Sequence, residues 1–471
     1  MNRVYPKRIR LFLFIVILAV ISGCTTPTVN PPSITREPSP GAITPTPQPT
    51  PTFTPEVPLE YRVDVNTLKG SEILFLHPFT GALAGQYEEW SMRFNQENPF
   101  GMKVRVLSSG GMDSLPALIQ SENPQVILAP PEYLSFGLNV GWITPLDGYL
   151  SLHEWGLSET EQQEIHEMFW LQDRFSGAQS GFPALRTVYG MVYNRTWANE
   201  LGYPEAPTTP QELLEQACAA ARQNNRSVYL EKRGTGGWLL STEPFHDLVW
   251  WYAFNARVLP EKPGEPIQFN QTEVNDTLKF LRNMQAQGCL WQGLNPSPYG
   301  YFSDRYTLFY IGSLQDLSFQ QGYQQSTESK DEWLLIPFPQ EDGKPFYLTT
   351  GYSYGLLKND PHLQMAGWLW IRWLTENTRQ MEITRVYGGI SLENPFKDSL
   401  LLPELQKHFE GEASLIPLPG NPDWLVIRRP IQDAFWQVFH LAEGQSVEDV
   451  VAELKTLAEY ELFRSQSTPT P

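Results

Sequence analysis

Short apolar runs alternate with amphipathic segments through the first part of the chain. The apolar runs lie at residues 72–76, 103–107 and 125–129, and each has the length of a buried strand. After the first run, apolar side chains recur at spacings of four, three and four, which places them on one helical face: Leu83, Tyr87, Trp90 and Phe94. A second helix is predicted from about Asp113. This alternation of strands and helices indicates an α/β fold with a mostly parallel sheet.

A longer extended segment occupies residues 181–202. Residues 184–193 are rich in β-branched and aromatic side chains, a composition that favours a strand. Asn194 can cap the short helix that follows, and Gly202 ends that helix. The pattern therefore predicts a long strand that leads directly into a helix.

The second half of the chain continues the alternation. Thr209, Pro210 and Glu212 have the spacing of a helix start, with a cap, a proline in the first turn and an acid at the third position. Further elements are predicted as strands at 307–313 and 333–337, an extended segment at 351–357, and closing helices at 430–442 and 446–463.

The N-terminus predicts export. An apolar run at residues 11–21 follows several basic residues, and it is too short to span a bilayer, which is typical of a signal peptide. It ends Ile21-Ser22-Gly23-Cys24, which resembles a bacterial lipobox, so we expect a signal peptide at 1–23 and a lipid on Cys24. An ordinary secretory signal is the alternative. Residues 24–58 are rich in Pro and Thr and predict a disordered linker.

Several loose motifs occur in a characteristic order. Phe94-Asn95-Gln96-Glu97-Asn98-Pro99 ends the first predicted helix, residues 143–146 read ITPL, and Tyr193-Asn194 ends the long strand. In their order and spacing these motifs resemble the bacterial extracellular solute-binding proteins, a family that includes the maltose-binding proteins. The resemblance extends over about residues 72–463.

The resemblance implies a two-lobed, type II periplasmic-binding-protein-like α/β fold. Each lobe would be a mixed sheet flanked by helices, with a cleft between the lobes. Residues 59–185 and about 352–400 would form lobe 1, and residues 186–351 and about 401–465 would form lobe 2. The chain would cross between the lobes near residues 181–189 and 351–354.

The same resemblance implies a lipid-anchored extracellular receptor. It would capture a carbohydrate or related polyol and deliver it to the transmembrane subunits of an ABC importer. The protein would act as a monomer on the outer face of the membrane, without catalysis and without a cofactor or metal.

Candidate ligand-binding residues follow from where the predicted strands end. The carboxyl ends of strands face the cleft in open α/β sheets, and sugar sites combine aromatic faces with polar groups. These criteria select His77, Phe79, Thr80, Glu132, Tyr133, Arg186, Tyr189, Trp238, Gly312, Ser313, Tyr352, Tyr354 and Tyr387.

Charge and motif spacing argue against other classes of protein. The net charge is −18 and no Lys/Arg run occurs beyond the N-terminus, so nucleic-acid binding is not expected. His166-Glu167 lacks the second histidine of a zinc motif. Residues 351–355 read Gly-x-Ser-x-Gly, but the chain continues as a strand, so Ser353 is interpreted as part of a hinge strand and not as a nucleophile.

Several alternatives remain open from the sequence. A binding lipoprotein that serves a sensor, without a permease, would have the same fold. A polysaccharide hydrolase would need two close carboxylates in the cleft. An anion-binding protein would need a basic cluster there, for which Arg186 is the strong candidate. Cys218 and Cys289 are either a disulfide or two buried thiols.

Overall fold

The computed structural model describes residue 61 and residues 63–241, 243–260, 265–395 and 413–467. The predicted signal peptide, the lipidation site Cys24 and the whole predicted linker lie outside the described residues, as does the predicted lobe boundary near residue 400. None of the helices that are described combines the length and the apolar character needed to cross a membrane.

The first part of the chain builds strands and helices in the predicted alternation. After a short 3₁₀ turn at Val65–Leu68, the elements are β1 (Glu72–His77), α1 (Gly81–Glu97), β2 (Lys103–Ser108), α2 (Leu115–Glu122), β3 (Val126–Ala129), α3 (Pro131–Asn139), α4 (Asp147–Leu150), α5 (Glu159–Gln163), α6 (Glu167–Gln172), β4 (Arg174–Phe175), β5 (Ala178–Gln179) and β6 (Phe182–Asn194). On α1, Tyr87, Trp90 and Phe94 are buried, which confirms the predicted apolar face.

The second part continues from the end of β6. Its elements are α7 (Arg195–Glu200), α8 (Pro210–Asn225), β7 (Gly236–Leu239), α9 (Pro244–Ala253), α10 (Thr272–Ala286), β8 (Leu290–Trp291), α11 (Tyr299–Ser303), β9 (Thr307–Ser313), α12 (Leu314–Ser326), β10 (Trp333–Ile336), β11 (Phe346–Leu356), α13 (Pro361–Leu374), α14 (Asn377–Tyr387), β12 (Ser414–Pro417), α15 (Trp424–Phe439) and α16 (Val447–Ser467). At the start of α8, Thr209 and Glu212 form the predicted capping box.

One predicted helix start is wrong. The predicted helix at 430–442 begins six residues earlier in the structure, at Trp424, so Pro430 lies inside α15. The buried face of α15 already includes Trp424 and Ile427 before the proline and continues with Ile431 after it. Tertiary packing of this face outweighs the hydrogen bond that a proline removes from a helix.

A hydrogen-bonded path of strands runs through the described molecule. Its order is β2-β1-β3-β11-β6-β9-β7-β8, with β10 paired to β6 and β12 paired to β11. In the first lobe β1 is parallel to both β2 and β3. In the second lobe β7 is parallel to β9 and β8. The long strands β6 and β11 are antiparallel to each other and join the two parts.

Two large apolar clusters lie on either side of these long strands. The first includes Phe75, Trp90, Leu185, Tyr354 and Trp370. The second cluster includes Tyr193, Trp197, Trp251, Leu348 and Phe435. Each of the two long strands contributes one end to the first cluster and the other end to the second. The fold is thus a mixed α/β structure of two lobes, as predicted.

A disulfide crosses the second lobe. Cys218 on α8 is bonded to Cys289, which precedes β8, and their Cα atoms are 4.6 Å apart. The two cysteines are separated by 71 positions in the sequence, so the bond closes a long loop. The pairing that the sequence left open is therefore formed in the structure.

Candidate ligand-binding cleft

The lobes meet at the paired strands β6 and β11. Gly351 lies opposite Arg186 and Tyr352 lies opposite Leu185, and the register shifts between Tyr352 and Ser353. A Cβ atom at Gly351 would collide with the carbonyl oxygen of Leu185. Only glycine allows so close an approach of the two backbones.

A buried polar network joins the two strands at this point, and we call it the crossing network: Arg186, Asp173, Gln172 and Ser353. The Arg186 guanidinium donates to Asp173 Oδ2 at 2.9 Å, to Gln172 Oε1 at 2.9 Å and to the carbonyl oxygen of Tyr352 at 2.7 Å. Ser353 Oγ donates to the same Asp173 oxygen at 2.7 Å. The side chains of Arg186 and Asp173 are both fully buried.

The geometry of this network argues against Arg186 as a ligand contact and agrees with the interpretation of Ser353 as part of a hinge strand. Arg186 directs its guanidinium donors at the protein interior and has no exposed surface, so we no longer include it among the residues proposed to contact a ligand. Ser353 lies within strand β11 and is hydrogen-bonded to a carboxylate. A nucleophilic serine needs a sharp strand-to-helix turn, and Ser353 does not lie at one. Both residues fix the crossing of the strands.

Four other candidates are also buried. Trp238 lies in β7 and packs its ring against Trp250 at a centroid distance of 4.8 Å, inside the second lobe. The hydroxyl of Tyr354 lies 3.1 Å from that of Tyr87, inside the first lobe. Gly312 and Ser313 end β9 and are buried as well. Because these residues fill the lobes, we omit them from the proposed ligand contacts.

His77 is buried at the end of β1. Its Nδ1 accepts a hydrogen bond from the Phe79 N–H at 3.2 Å, an arrangement that assigns the ring proton to Nε2. Burial lowers the pKa of His77 to about 4. The neutral ring therefore supports the loop that presents Phe79.

Three partly exposed aromatic side chains converge on the first-lobe side, and we call them the first-lobe aromatic group: Phe79, Tyr352 and Tyr387. The ring centroid of Phe79 lies 4.8 Å from that of Tyr352 and 5.9 Å from that of Tyr387. They come from the loop after β1, from β11 and from the last residue of α14. Gly388, at a φ of 69°, ends α14 in the left-handed conformation directly after Tyr387.

A second set of side chains faces this region from the other lobe, and we call it the second-lobe aromatic group: Tyr189, Phe245 and His246. The ring centroid of Tyr189 lies 4.7 Å from that of Phe245 and 6.2 Å from that of His246. His246 Nδ1 lies 2.6 Å from Ser241 Oγ, and burial lowers the pKa of His246 to about 4. All three residues of the group are partly exposed.

The two aromatic groups are close enough to influence each other's ionisation. Burial, followed by the neighbouring phenols of Tyr352 and Tyr189, raises the pKa of Tyr387. Burial, followed by the charge of Glu132, raises the pKa of Tyr352 to about 12. Tyr189 and Tyr387 belong to different lobes, so side chains of the two lobes approach each other here.

Glu132 adds a carboxyl group to this space. It lies in the first turn of α3 and is partly exposed. Burial raises the pKa of Glu132 to about 7, although Arg428 on α15 acts in the opposite direction. The neighbouring Tyr133 packs edge-on against Trp142 with centroids 5.7 Å apart, and Thr80 is exposed at the start of α1.

The sequence prediction missed several side chains beside the second-lobe group. Phe245 and His246 begin α9, and Gln315 and Asp316 begin α12. Gln315 Oε1 accepts a hydrogen bond from Thr187 at 2.8 Å. The charge of Asp316 acts to raise the pKa of Tyr189 and the pKa of His246. Both helices follow the carboxyl end of a strand closely, so the rule used for the other candidates could have identified them.

Comparison with known proteins supports this architecture. The family model described as "Bacterial extracellular solute-binding protein" matches residues 89–410. Among solved structures, the sugar-binding protein MalE from Xanthomonas citri is 18% identical, with a TM-score of 0.67 over 84% of this chain and 98% of that one.

Two further solved structures resemble the chain to a similar degree. The cyclic α-maltosyl-1,6-maltose binding protein from Arthrobacter globiformis is 15% identical, with a TM-score of 0.65 over 84% of this chain and 100% of that one. The maltose/maltodextrin-binding domain MalE from Bdellovibrio bacteriovorus, bound to maltotriose, is 18% identical, with a TM-score of 0.62 over 83% and 100%. At these identities the likeness establishes the fold.

Proposed function

Because this chain belongs to the bacterial extracellular solute-binding protein family, we propose that it is a receptor that captures a carbohydrate or related polyol. The observation that carries the proposal is the convergence of the two aromatic groups at the crossing strands. The side chains proposed to contact the ligand are Phe79, Glu132, Tyr189, Phe245, Tyr352 and Tyr387, with Thr80 and Tyr133 at the periphery.

Sugar chemistry suits this combination of groups. A sugar ring presents C–H faces that stack on aromatic rings, and its hydroxyl groups pair with polar side chains at its edge. The two aromatic groups supply faces from opposite lobes, and Glu132 supplies a polar edge. A ligand that touches both lobes favours the closed state by its differential affinity for it.

An anionic ligand fits the cleft less well. The sequence offered Arg186 as the cation for such a ligand, but its guanidinium is ion-paired with Asp173 at 2.9 Å and fully buried. Glu132, the carboxyl group at the cleft, would repel an anion when ionised. A neutral ligand does not need the Arg186 cation and is not repelled by Glu132.

Hydrolysis is also less well supported than binding. A glycosidase needs two accessible carboxyl groups on either side of the scissile bond. Asp173 is a carboxylate close enough to influence the pKa of Glu132, but it is buried and ion-paired. Asp316 lies beside the second-lobe aromatic group, but it accepts hydrogen bonds from the Ser313 N–H and Oγ at the start of α12. We therefore propose a binding protein without catalytic activity.

The remaining features of the proposal come from the sequence and the family. We propose that the chain is exported and anchored by a lipid on Cys24, that residues 24–58 act as a spacer, and that the liganded protein delivers its cargo as a monomer to an ABC importer. The lobe boundaries near residues 185 and 351 are supported by the two apolar clusters, since Leu185 and Tyr354 pack in the first and Leu348 in the second.

A thermal-shift screen of the purified protein against neutral sugars, polyols and sugar phosphates tests this function. Ligand that binds only the folded state raises its stability by about 2.7 kcal/mol at a hundredfold excess over Kd. We expect a stabilising shift with one class of neutral sugar and recovery of that sugar unchanged.

Two variants and two alternative outcomes make the screen specific. The Tyr189→Ala variant should lose the shift, whereas Tyr460→Ala, which removes an exposed tyrosine from α16, should retain it. Conversion of the sugar to a product would favour the hydrolase. Stabilisation by sugar phosphates alone would favour an anion receptor.

A further inference from the structure

A second cavity lies in the second lobe, behind the first turn of α9. It has a volume of about 240 Å³. Its walls come from the residues that follow β7 and β8, from α9 and from the last turn of α15, and they include Ser241, Asp247, Trp291, Asp433, Trp436 and His440. The carboxyl ends of parallel strands are a common location for ligands in open α/β sheets. No residue of the proposed cleft contacts lines this cavity.

One carboxyl group in its walls is buried without a partner among the described residues. Asp247 is 5% exposed and lines the cavity, and its carboxyl group accepts no hydrogen bond from any residue that the structure describes. Buried polar groups in native proteins are nearly always satisfied. A polar ligand in the cavity would supply the partner that this carboxyl group lacks.

The wall opposite Asp247 is aromatic. Trp436 remains 57% exposed although the His440 ring stacks on it at a centroid distance of 4.2 Å. Phe435 and Phe439 also line the cavity. An exposed indole beside buried polar groups offers a flat apolar face together with hydrogen-bonding groups at its edge.

The charges in the walls exclude anions as the ligand. Asp247 and Asp433 line the cavity, and no Lys or Arg does so among the described residues. Burial raises the pKa of Asp247 well above its usual value, with Glu243 acting in the same direction. The oxygens of a carboxyl group accept hydrogen bonds from the hydroxyl groups of a neutral ligand.

We propose that this cavity is a second binding site, distinct from the cleft, for a single neutral sugar ring. The ring stacks on Trp436, and one of its hydroxyl groups pairs with the Asp247 carboxyl group. The volume suits a ligand of this size and is too small for an oligosaccharide.

The new site and the cleft share one wall. Ser241 lines the cavity, and its Oγ contacts His246 of the second-lobe aromatic group at 2.6 Å. His246 and Asp247 are adjacent on α9, so one side chain faces Tyr189 and the next faces the cavity. The two sites are therefore neighbours on α9, but each has its own contacts.

Fluorine NMR of protein labelled with 5-fluorotryptophan tests the proposal, with the Trp291 and Trp436 resonances assigned from Trp→Phe variants. The probes are glucose, galactose, mannose, N-acetylglucosamine and, as a cationic alternative, tetramethylammonium, each titrated to tens of millimolar. We expect at least one neutral sugar to shift both resonances saturably. Asp247→Ala should weaken that response at least tenfold, and Asp276→Ala, a matched change of an acid on α10, should not.

The outcomes separate this site from the proposed cleft. Tyr189→Ala should leave both indole shifts unchanged, because it alters the cleft alone; a response that disappears with Tyr189→Ala would overturn the proposal of a distinct site. No response to any sugar, or a response to tetramethylammonium alone, would also overturn it. Failure of the cleft proposal is seen separately, because the thermal shift would then persist in Tyr189→Ala together with the indole responses.

Discussion

The crossing network and the two aromatic groups lie beside each other on the same strands, but they differ in solvent exposure. The network is buried, and the aromatic side chains are partly exposed. Arg186 and Asp173 are fully buried and ion-paired with each other. Tyr189, three positions along β6 from Arg186, is partly exposed and faces the other lobe. A polar residue at the crossing is therefore structural, while a neighbouring aromatic residue stays accessible to a ligand.

The largest effect is expected from Arg186→Ala. Removing one partner of a buried ion pair leaves an uncompensated charge on Asp173, which costs about 3–5 kcal/mol of the free energy of unfolding. Urea denaturation followed by circular dichroism measures this loss. The double variant Arg186→Met with Asp173→Leu should recover most of it, because neither charge then remains buried. Normal stability of Arg186→Ala together with lost sugar binding would make Arg186 a ligand residue after all.

A smaller loss of stability is expected when the disulfide of the second lobe is removed. Replacing Cys218 and Cys289 together by Ala should lower the free energy of unfolding by about 2–4 kcal/mol, because the closed loop no longer restricts the unfolded chain. Ligand affinity, measured by calorimetry on the folded variant, should be unchanged. A weakened affinity would show that stability and binding are not separable in this lobe.

For the aromatic groups we expect a loss of ligand affinity with a smaller loss of stability. Tyr352→Ala or Tyr189→Ala should weaken binding of the sugar by about 2 kcal/mol, roughly 30-fold, because an aromatic anchor is lost from the contact. The free energy of unfolding without ligand should change less than for Arg186→Ala, since both rings are partly exposed. A stability loss as large as that of Arg186→Ala would assign these rings to the core.

The smallest effect concerns pH and Glu132. Burial raises its pKa to about 7 in the folded protein, so ionising it opposes folding increasingly as pH rises from the usual carboxyl pKa to about 7. At roughly 1.4 kcal/mol per pKa unit, the rise from 4.5 to about 7 corresponds to about 3 kcal/mol, but Glu132 is partly exposed and water screens much of it. Glu132→Gln should therefore be more stable than the parent at pH 8 by about 1 kcal/mol. The difference should vanish at pH 4, where both side chains are neutral. Denaturation at the two pH values measures it, and a difference that is equal at both would contradict this assignment.

Much of the fold could be predicted from local patterns. The apolar face of α1, the cap of α8 and the extended segment that became β6 each depend on residues close in sequence, so the periodicity was sufficient. The start of α15 was predicted six residues late because Pro430 was treated as a helix start, whereas the packing of Trp424 and Ile427 decides where the helix begins. The disulfide remained open because its two cysteines are 71 residues apart.

The candidate site was predicted in part. Phe79, Tyr189, Tyr352 and Tyr387 follow from the ends of predicted strands and from the crossing segments, and the structure brings their rings together. The same rule also selected Trp238 and Tyr354, whose rings pack inside the lobes. Position along the chain places a residue near the cleft edge of a sheet, but it does not tell which side of the sheet faces the cleft.

The sequence by itself determined the family and the α/β alternation, because these depend on periodicity and on motif order, and its composition predicts an export signal. Only the tertiary structure decided which side chains are accessible. Arg186 meets Asp173 and Ser353, and Asp247 is buried in the wall of a cavity. Burial and hydrogen-bond partners arise from contacts between residues far apart in sequence, and such contacts exist only once the chain has folded.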